Sequence, residues 1–384
     1  MMRRFFTLWA MGVWFVFATS AAVAKVDRID SEDPTELLAV LAQVQDDVAQ
    51  NGAAAIELQT FLLERIEGIF QDRSATDLSV LMVTEYALSG GNPSTALRLF
   101  RLMPDGAPHQ DVALAMRPYL RGRSETARDR FEKLDMKSVP VRLRALLILA
   151  QGMLKSALDD PTSIRELRQA KMMMPGTLVE EAASRRLVEI YAQQGETDKV
   201  MRVAAQYWQR FPRSPYRKQM EKLVADQMII DDSEETRQWA KRLAGLSNFE
   251  RLAAFAAQLA RASIFAGNSD LADFATSLIP TSKEAERLAT TKRSRLMREI
   301  SRLTSEDVKD VAKRLESFDT NGLLASDRRL LQASRGIARA IKAPLRKVDA
   351  SDVDPEAESE ADPFMQRMRE KLEAVEDTLS KESS

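Results

Sequence analysis

The side chains that could carry out chemistry in this sequence are few. His109 is the only histidine and there is no cysteine, so neither a nucleophile–histidine triad nor a histidine- or thiolate-based metal site can be assembled. Carboxylate pairs, which serve as acid and base in many hydrolases, occur at Glu180-Glu181, Asp231-Asp232 and Glu234-Glu235. Each pair lies at the predicted start of a helix, where the helix dipole favours negative charge. We therefore assign these pairs a structural role.

The glycine-rich stretch Gly90-Gly91-Asn92-Pro93 invites comparison with a phosphate-binding loop. It lacks the Gly-Lys-Ser/Thr ending of such loops, and no strand is predicted before it, so it is predicted to be a turn between helices. Together with the missing nucleophiles and metal ligands, this predicts a protein that is not an enzyme, uses no cofactor and has no small-molecule substrate.

The composition indicates a folded protein that does not bind nucleic acid. Hydrophobic residues make up 45% of the 384 residues, which is enough for a large core. The 56 basic residues are balanced by 57 acidic ones, whereas a nucleic-acid binder normally carries a basic excess on its contact face. Without cysteines no disulfide can form, so packing must hold the fold together.

Residues 174–216 show how the chain is organised. Thr177 and Glu180 form the S/T-x-x-E pattern of a capping box, which predicts that a helix begins there. The helix is expected to end at Gly195, because glycine adopts the left-handed C-cap conformation without strain. Apolar residues then recur at Val200, Val203, Ala204, Tyr207, Trp208 and Phe211. Their spacing predicts a second helix that faces the first and stops at Pro212.

Similar turn signals recur along the chain at intervals of roughly 36 residues, close to the period of about 34 residues in tetratricopeptide repeats (TPR). A single helical hairpin cannot bury both of its sides, so each must stack on its neighbours. The sequence therefore predicts an all-α fold, a TPR-like right-handed solenoid of helical hairpins over residues 25–345. An irregular α-helical domain with accidental spacing is the alternative, because the TPR consensus is met only in part.

Apolar periodicity predicts further helices within this range. They cover residues 37–48, 56–70, 78–88, 95–102, 110–120, 124–134, 139–157, 214–230, 233–246, 249–265, 271–279, 284–303, 306–318 and 323–341. The helix at 56–70 is so apolar that we expect it to be buried between neighbours. The helix at 323–341 is expected to cap the array.

The first 24 residues have the organisation of a secretory signal peptide. Arg3 and Arg4 precede an apolar run, and Ala22-Val23-Ala24 forms a small-residue cleavage site. Residues 1–24 are therefore predicted to direct the protein to the periplasm, and the mature chain is predicted not to be integral to the membrane. An uncleaved N-terminal anchor is the alternative, although the apolar run is short for a span of about 20 residues.

The sequence changes character after Pro344. Residues 346–363 are acidic with almost nothing apolar to bury, which predicts a disordered acidic linker. Residues 364–384 carry apolar side chains at heptad a/d spacing, namely Met365, Met368, Leu372, Val375 and Leu379. This spacing predicts a short amphipathic coiled-coil helix that binds a partner or itself. A frayed tail, or weak packing on the solenoid, is the alternative, because two heptads are marginal in isolation.

Three stretches of the chain resemble a known family. They are QNGAAAIELQTFLLERIE (Gln50–Glu67), YALSGGNP (Tyr86–Pro93) and MPGTLVEEAASRR (Met174–Arg186). All three are similar to segments of MotC, the periplasmic flagellar-motor protein of rhizobia and their relatives. The similarity covers roughly residues 30–340 and consists of helices and helix turns rather than of a chemical signature.

The resemblance implies a non-enzymatic accessory protein of the flagellar motor. Such a protein would bind the periplasmic part of the stator protein MotB and stabilise or chaperone it, so that the flagellum can rotate. A solenoid suits this role, because stacked hairpins present a long concave groove to a partner segment.

Two alternatives to the motor role stay open at this point. One is a general periplasmic TPR-like scaffold of cell-envelope or secretion assembly. The other is a soluble lytic transglycosylase, an enzyme whose catalytic domain would have to stand where this chain carries its acidic linker.

Overall fold

The computed structural model describes residues 31–51, 55–74, 77–279, 289–304 and 306–342 of the chain. In these ranges all regular structure is helical, with seventeen α-helices and two short 3₁₀ helices at Met136–Ser138 and Arg302–Thr304. The all-α prediction is confirmed. The predicted signal peptide, acidic linker and heptad helix lie outside the described residues.

The helices follow one another with short connections. The first nine are α1 (Pro34–Asn51), α2 (Ile56–Asp72), α3 (Val80–Leu88), α4 (Pro93–Leu102), α5 (Gln110–Leu120), α6 (Ser124–Phe131), α7 (Val141–Ala157), α8 (Ser163–Met173) and α9 (Leu178–Gln193). The remaining eight are α10 (Thr197–Arg210), α11 (Arg217–Ile230), α12 (Glu234–Gly245), α13 (Phe249–Phe265), α14 (Ser269–Ser277), α15 (Ala289–Ser301), α16 (Val308–Glu316) and α17 (Ala325–Lys342).

Helices that are close in sequence are also close in space. From α7 onward, alternate helices form one row. Its members are α7, α9, α11, α13, α15 and α17, and each contacts the next. Between the members of this row, α8, α10, α14 and α16 each contact the row helices on both sides of them. This stacking buries both apolar sides of each hairpin, which a single pair could not do.

The hairpin of α9 and α10 forms as predicted. Gly195 takes the left-handed conformation with φ of 69°, and the N–H of the next residue, Glu196, donates to the Tyr191 carbonyl at 2.9 Å. Every apolar position predicted to face α9 is buried, apart from the partly buried Val203. The Trp208 ring then packs edge-on against Phe255 of α13, with ring centroids 6.3 Å apart.

The predicted capping box at the start of α9 does not form, although α9 begins where the pattern placed it. The Thr177 hydroxyl donates to the Met174 carbonyl at 2.7 Å and makes no cap bond to the helix. Glu180 accepts instead from the Gly176 N–H at 2.6 Å and pairs with Arg210 at 3.2 Å. The expected pair does not form because the Thr177 hydroxyl is bonded to the Met174 carbonyl and the Glu180 carboxylate to the Gly176 N–H.

The periodicity did not identify α8. Its fully buried apolar residues are Leu167 and Ala170, a narrow stripe for a helix of 11 residues. A buried charge adds to this packing: Glu166 is 5% exposed and accepts from Lys155 of α7 at 3.2 Å. The α8 position therefore depends on an ion pair that hydrophobic spacing cannot show.

A buried carboxylate, that of Glu181, organises the centre of the molecule. It has no exposed surface and accepts hydrogen bonds from the hydroxyls of Tyr207 at 2.6 Å and Ser214 at 3.0 Å. The Nε–H of Arg185 is shared between the two carboxylate oxygens at 3.0 and 3.1 Å. Burial, and after it the adjacent carboxylate, raises the pKa of Tyr207 well above its ordinary value, so Tyr207 stays a donor.

Two glycines inside helices give opposite predictions for substitution by alanine. In Gly152→Ala of α7, the new Cβ would lie 2.9 Å from Leu167 Cγ and 3.1 Å from the Leu167 backbone nitrogen in α8. We expect this overpacking to destabilise the fold by about 1–3 kcal/mol. In Gly68→Ala of α2, the Cβ would meet no atom within 4 Å, so we expect a gain of up to about 1 kcal/mol from helix propensity.

Urea unfolding of the two variants beside the wild type measures this difference. A Gly152→Ala variant as stable as the wild type would show that α7 and α8 are not in close contact at this position.

Candidate protein-binding surfaces

The residues with side chains suited to catalysis have structural roles. His109 is the N-cap residue of α5, with a left-handed φ of 59°. Glu180 and Glu181 are buried in hydrogen bonds, and Glu234 and Glu235 lie in the first turn of α12. In the part of the chain that the structure describes, no group of three or more acidic or histidine side chains could hold a metal ion. The predicted partner-binding residues Met365, Met368, Leu372, Val375 and Leu379 lie outside the described residues.

Helix α1 lies in the interior of the first half of the molecule. Leu37, Leu41, Val44 and Ala49 have no exposed surface. The helix contacts α2 and α3 and also reaches the distant helix α9. Gln45 completes this enclosure, because its side-chain amide donates to the Ser89 carbonyl at the end of α3 at 2.7 Å.

Asp46 joins α1 to two distant helices. Its Oδ1 accepts a hydrogen bond from the backbone N–H of Leu178 at 3.0 Å, across 132 residues of sequence. Its Oδ2 lies 3.4 Å from Nη1 of Arg142 in α7. The N–H of Leu178 is one of the donors that a helix start leaves without an intrahelical partner. Asp46 therefore satisfies the first N–H of α9 from another part of the chain, whereas a local N-cap side chain accepts from the second or third helical N–H.

Arg142 extends this cluster to α3. Its Nε lies 3.6 Å from Oε1 of Glu85. Burial raises the pKa of Glu85 above its ordinary value, and the charge of Arg142 opposes part of that rise. Helices α1, α3, α7 and α9 thus meet at one partly buried group of charges. The sides of α3, α7 and α9 that face α1 are covered by the chain itself.

Helix α2 has an exposed apolar side, contrary to the expectation that it is buried. Its buried residues are Leu62, Ile66 and Phe70, because α1 occupies the central position and α2 packs against α1 and α4. On its other side are Ile56, Phe61, Glu64 and Gly68, which we call the α2 face. Ile56 is 42% exposed and Phe61 46% exposed.

Gly68 gives the α2 face an unusual feature. A glycine inside a helix costs about 1 kcal/mol relative to alanine. No atom lies within 4 Å of the position that a Cβ would take, so packing among the described residues does not require this glycine. An exposed glycine beside a phenylalanine is a surface on which a partner backbone can approach closely.

A second exposed apolar patch lies on α17. Leu331 and Ala338 are buried against the rest of the molecule, whereas Ile337 and Ile341 are each 53% exposed. A capping helix normally has a polar outer face, so α17 ends the described stack without the surface expected of a cap.

The described helices include none with the length and apolarity needed to cross a bilayer. In the described residues the protein is a stack of α-helices, and its candidate binding sites are exposed helix faces.

Comparisons with known proteins identify the family. The family model described as "Chemotaxis protein MotC" matches residues 1–384. The chain is also 27% identical over 376 residues to the chemotaxis protein MotC of Rhizobium meliloti (strain 1021), an alignment that covers 94% of this chain and 84% of that protein. No solved structure matches the chain significantly. The chain belongs to the MotC family, which supports a role related to chemotaxis and the flagellar motor.

The Asp46 contact predicts that Asp46→Ala destabilises the protein by about 2 kcal/mol, because the first N–H of α9 loses its acceptor and Arg142 loses a partner. Asp46→Asn should cost less, since its amide oxygen can still accept from Leu178. Gln43→Ala is the control, because Gln43 is exposed on the same helix. Equal unfolding free energies for the Asp46→Ala and Gln43→Ala variants in urea titration would contradict this role of Asp46.

Proposed function

We propose that this protein is a periplasmic, non-enzymatic accessory protein of the flagellar motor. It binds the periplasmic part of the stator protein MotB and stabilises or chaperones it, so that the flagellum can rotate. The match of the whole chain to the MotC family carries this proposal. The exposed apolar helix faces support it, because such faces mark protein-binding surfaces.

The finer form of the fold and the location belong to the same proposal. The helices form a TPR-like right-handed solenoid, which the row of α7 to α17 supports. Residues 1–24 are a signal peptide that is removed on export, which Arg3-Arg4 and the Ala22-Val23-Ala24 site support. Both features suit the proposed role. The solenoid would offer an extended binding surface, and export would place it in the compartment that contains the periplasmic part of MotB.

The α2 face is the surface on which we place the first contact with MotB. The side of α3, α7 and α9 that faces α1 is filled, so a segment that bound there would have to displace α1 and break the Asp46 contacts. The α2 face needs no such rearrangement. Phe61 supplies apolar area, and Gly68 allows a partner helix to approach closely.

The C-terminal residues Met365, Met368, Leu372, Val375 and Leu379 form a second, weaker contact in this proposal. The acidic residues 346–363 act as a tether that raises the local concentration of this helix near a bound partner.

Motility of a deletion strain tests the proposed function. We expect flagellar filaments that are present, as counted by electron microscopy, but do not rotate, and we expect the wild-type gene to restore swimming. Normal swimming of the deletion strain would exclude the motor role and favour the general scaffold of cell-envelope or secretion assembly.

The same strain tests the α2 face. Complementation with Phe61→Ser should restore swimming poorly, and Phe265→Ser should restore it fully, because Phe265 is exposed (68%) but lies at the end of α13. Immunoblots confirm equal protein levels. Equal swimming of the two complemented strains would remove the α2 face from the proposal.

Deletion of residues 364–384 is expected to weaken binding to the purified periplasmic part of MotB without lowering the melting temperature. The reason is that a tethered second contact adds to affinity through effective concentration. Unchanged affinity in calorimetric titration would remove the second contact. A lower melting temperature would show that the segment packs on the helices instead.

A further inference from the structure

The hairpin of α5 and α6 contains an arginine-lined cavity that the proposed function does not use. The cavity has a volume of about 180 Å³ and is open to solvent. Arg117 lines it from α5, Arg121 and Arg123 from the turn between the helices, and Arg130 from α6. Leu114 and Pro118 add apolar surface.

The positions of these arginines follow from the local structure. Arg117 and Arg121 are four residues apart and so lie on one side of α5. The Arg123 N–H donates to the Pro118 carbonyl at 3.0 Å, and Gly122 between the helices has a φ of 68°. The turn therefore brings the arginines of α6 beside those of α5, although like charges at this spacing repel.

None of the four guanidinium groups has a hydrogen bond or an ion pair to another described residue. Neighbouring arginines differ in this respect. Arg128 on the same helix pairs with Asp129 at 3.0 Å, and Arg142 on the next helix pairs with Asp46 at 3.4 Å. The cavity thus gathers four positive charges that make no ion pair among the described residues, which is an arrangement suited to binding an anion.

The sequence carries a matching set of negative charges. Acidic residues occupy every second position at Asp352, Asp354, Glu356, Glu358, Glu360 and Asp362, and no basic residue lies between them. In an extended peptide, side chains two residues apart point to the same side. A peptide of this pattern can therefore present a row of carboxylates to a row of arginines, while the small residues between them, such as Ala357 and Ala361, face away.

We propose that the arginine cavity of α5 and α6 binds a carboxylate-rich peptide, and that residues 349–362 of this protein, whose sequence supplies these carboxylates, are its ligand. Each arginine can hold a carboxylate by two parallel N–H···O bonds. The apolar surface of Leu114 and Pro118 accommodates the aliphatic parts of the acidic side chains. The same chemistry admits an acidic segment of a partner protein, and the experiment distinguishes the two sources.

The test uses a fluorescent synthetic peptide of residues 349–362 and the full chain in which the six alternating acidic residues are changed to Asn or Gln. We expect the peptide to bind, with an affinity that falls as NaCl rises because exposed charges are screened. Arg121→Gln with Arg123→Gln should weaken binding at least about tenfold. Arg328→Gln with Arg329→Gln is the matched control, since both arginines are exposed on α17 and should leave the affinity unchanged.

The outcomes separate the possibilities. No binding, or equal loss in the two double variants, would overturn the proposal. If the chain with its native acidic residues binds the added peptide more weakly than the neutralised chain, residues 349–362 occupy the cavity themselves. Equal affinity of these two chains would overturn that occupancy and assign the cavity to an acidic segment of a partner.

Discussion

The hydrogen bond from the Leu178 N–H to the carboxylate of Asp46 helps to determine which helix faces are covered and which are exposed in this protein. It fixes α1 against α9, and the same carboxylate attracts Arg142 of α7. With α1 held there, the adjoining sides of α3, α7 and α9 are covered, and α2 is displaced outward. The exposure of Ile56 and Phe61 is therefore a consequence of where α1 lies.

Buried charged groups join helices elsewhere in a chain that has no cysteine. Lys155 of α7 pairs with Glu166 of α8 at 3.2 Å, and Asp327 of α17 lies 2.7 Å from Arg293 of α15. Asp327 and Glu181 are fully buried. Removing one partner of an isolated buried pair typically costs about 3–5 kcal/mol, but Lys155 also lies 3.1 Å from Glu132 and Asp327 lies 3.5 Å from Arg261, so part of the compensation would remain here. Apolar stripes bring the helices together, whereas these pairs fix which residues face each other along the stack.

The sequence predicts what depends on local pattern and misses what depends on distant contacts. The α9–α10 hairpin, its turn at Gly195 and most helices follow from periodicity and capping. The capping box at Thr177 fails because the Thr177 hydroxyl donates to the Met174 carbonyl and Glu180 accepts from the Gly176 N–H. Helix α8 is missed because its charged residue is buried. The burial of α2 was predicted wrongly since apolarity alone cannot tell which of two apolar helices lies inside. The one sequence signal that could have indicated the α2 face is Gly68, because this glycine lies inside a helix and not at a turn.

The α2 face and the arginine cavity differ in the physics of binding, and this difference suits a protein that captures a partner. Burial of Phe61 depends little on salt and would slow dissociation, whereas exposed arginines act over about 8 Å at physiological ionic strength and mainly speed association. Helix α4 contacts both α2 and α5, so one helix separates the apolar face from the arginine hairpin. If residues 349–362 occupy the arginine cavity, an acidic partner must displace them before that charge can attract it. The acidic segment then acts as a competitor that raises the specificity of capture at some cost in affinity.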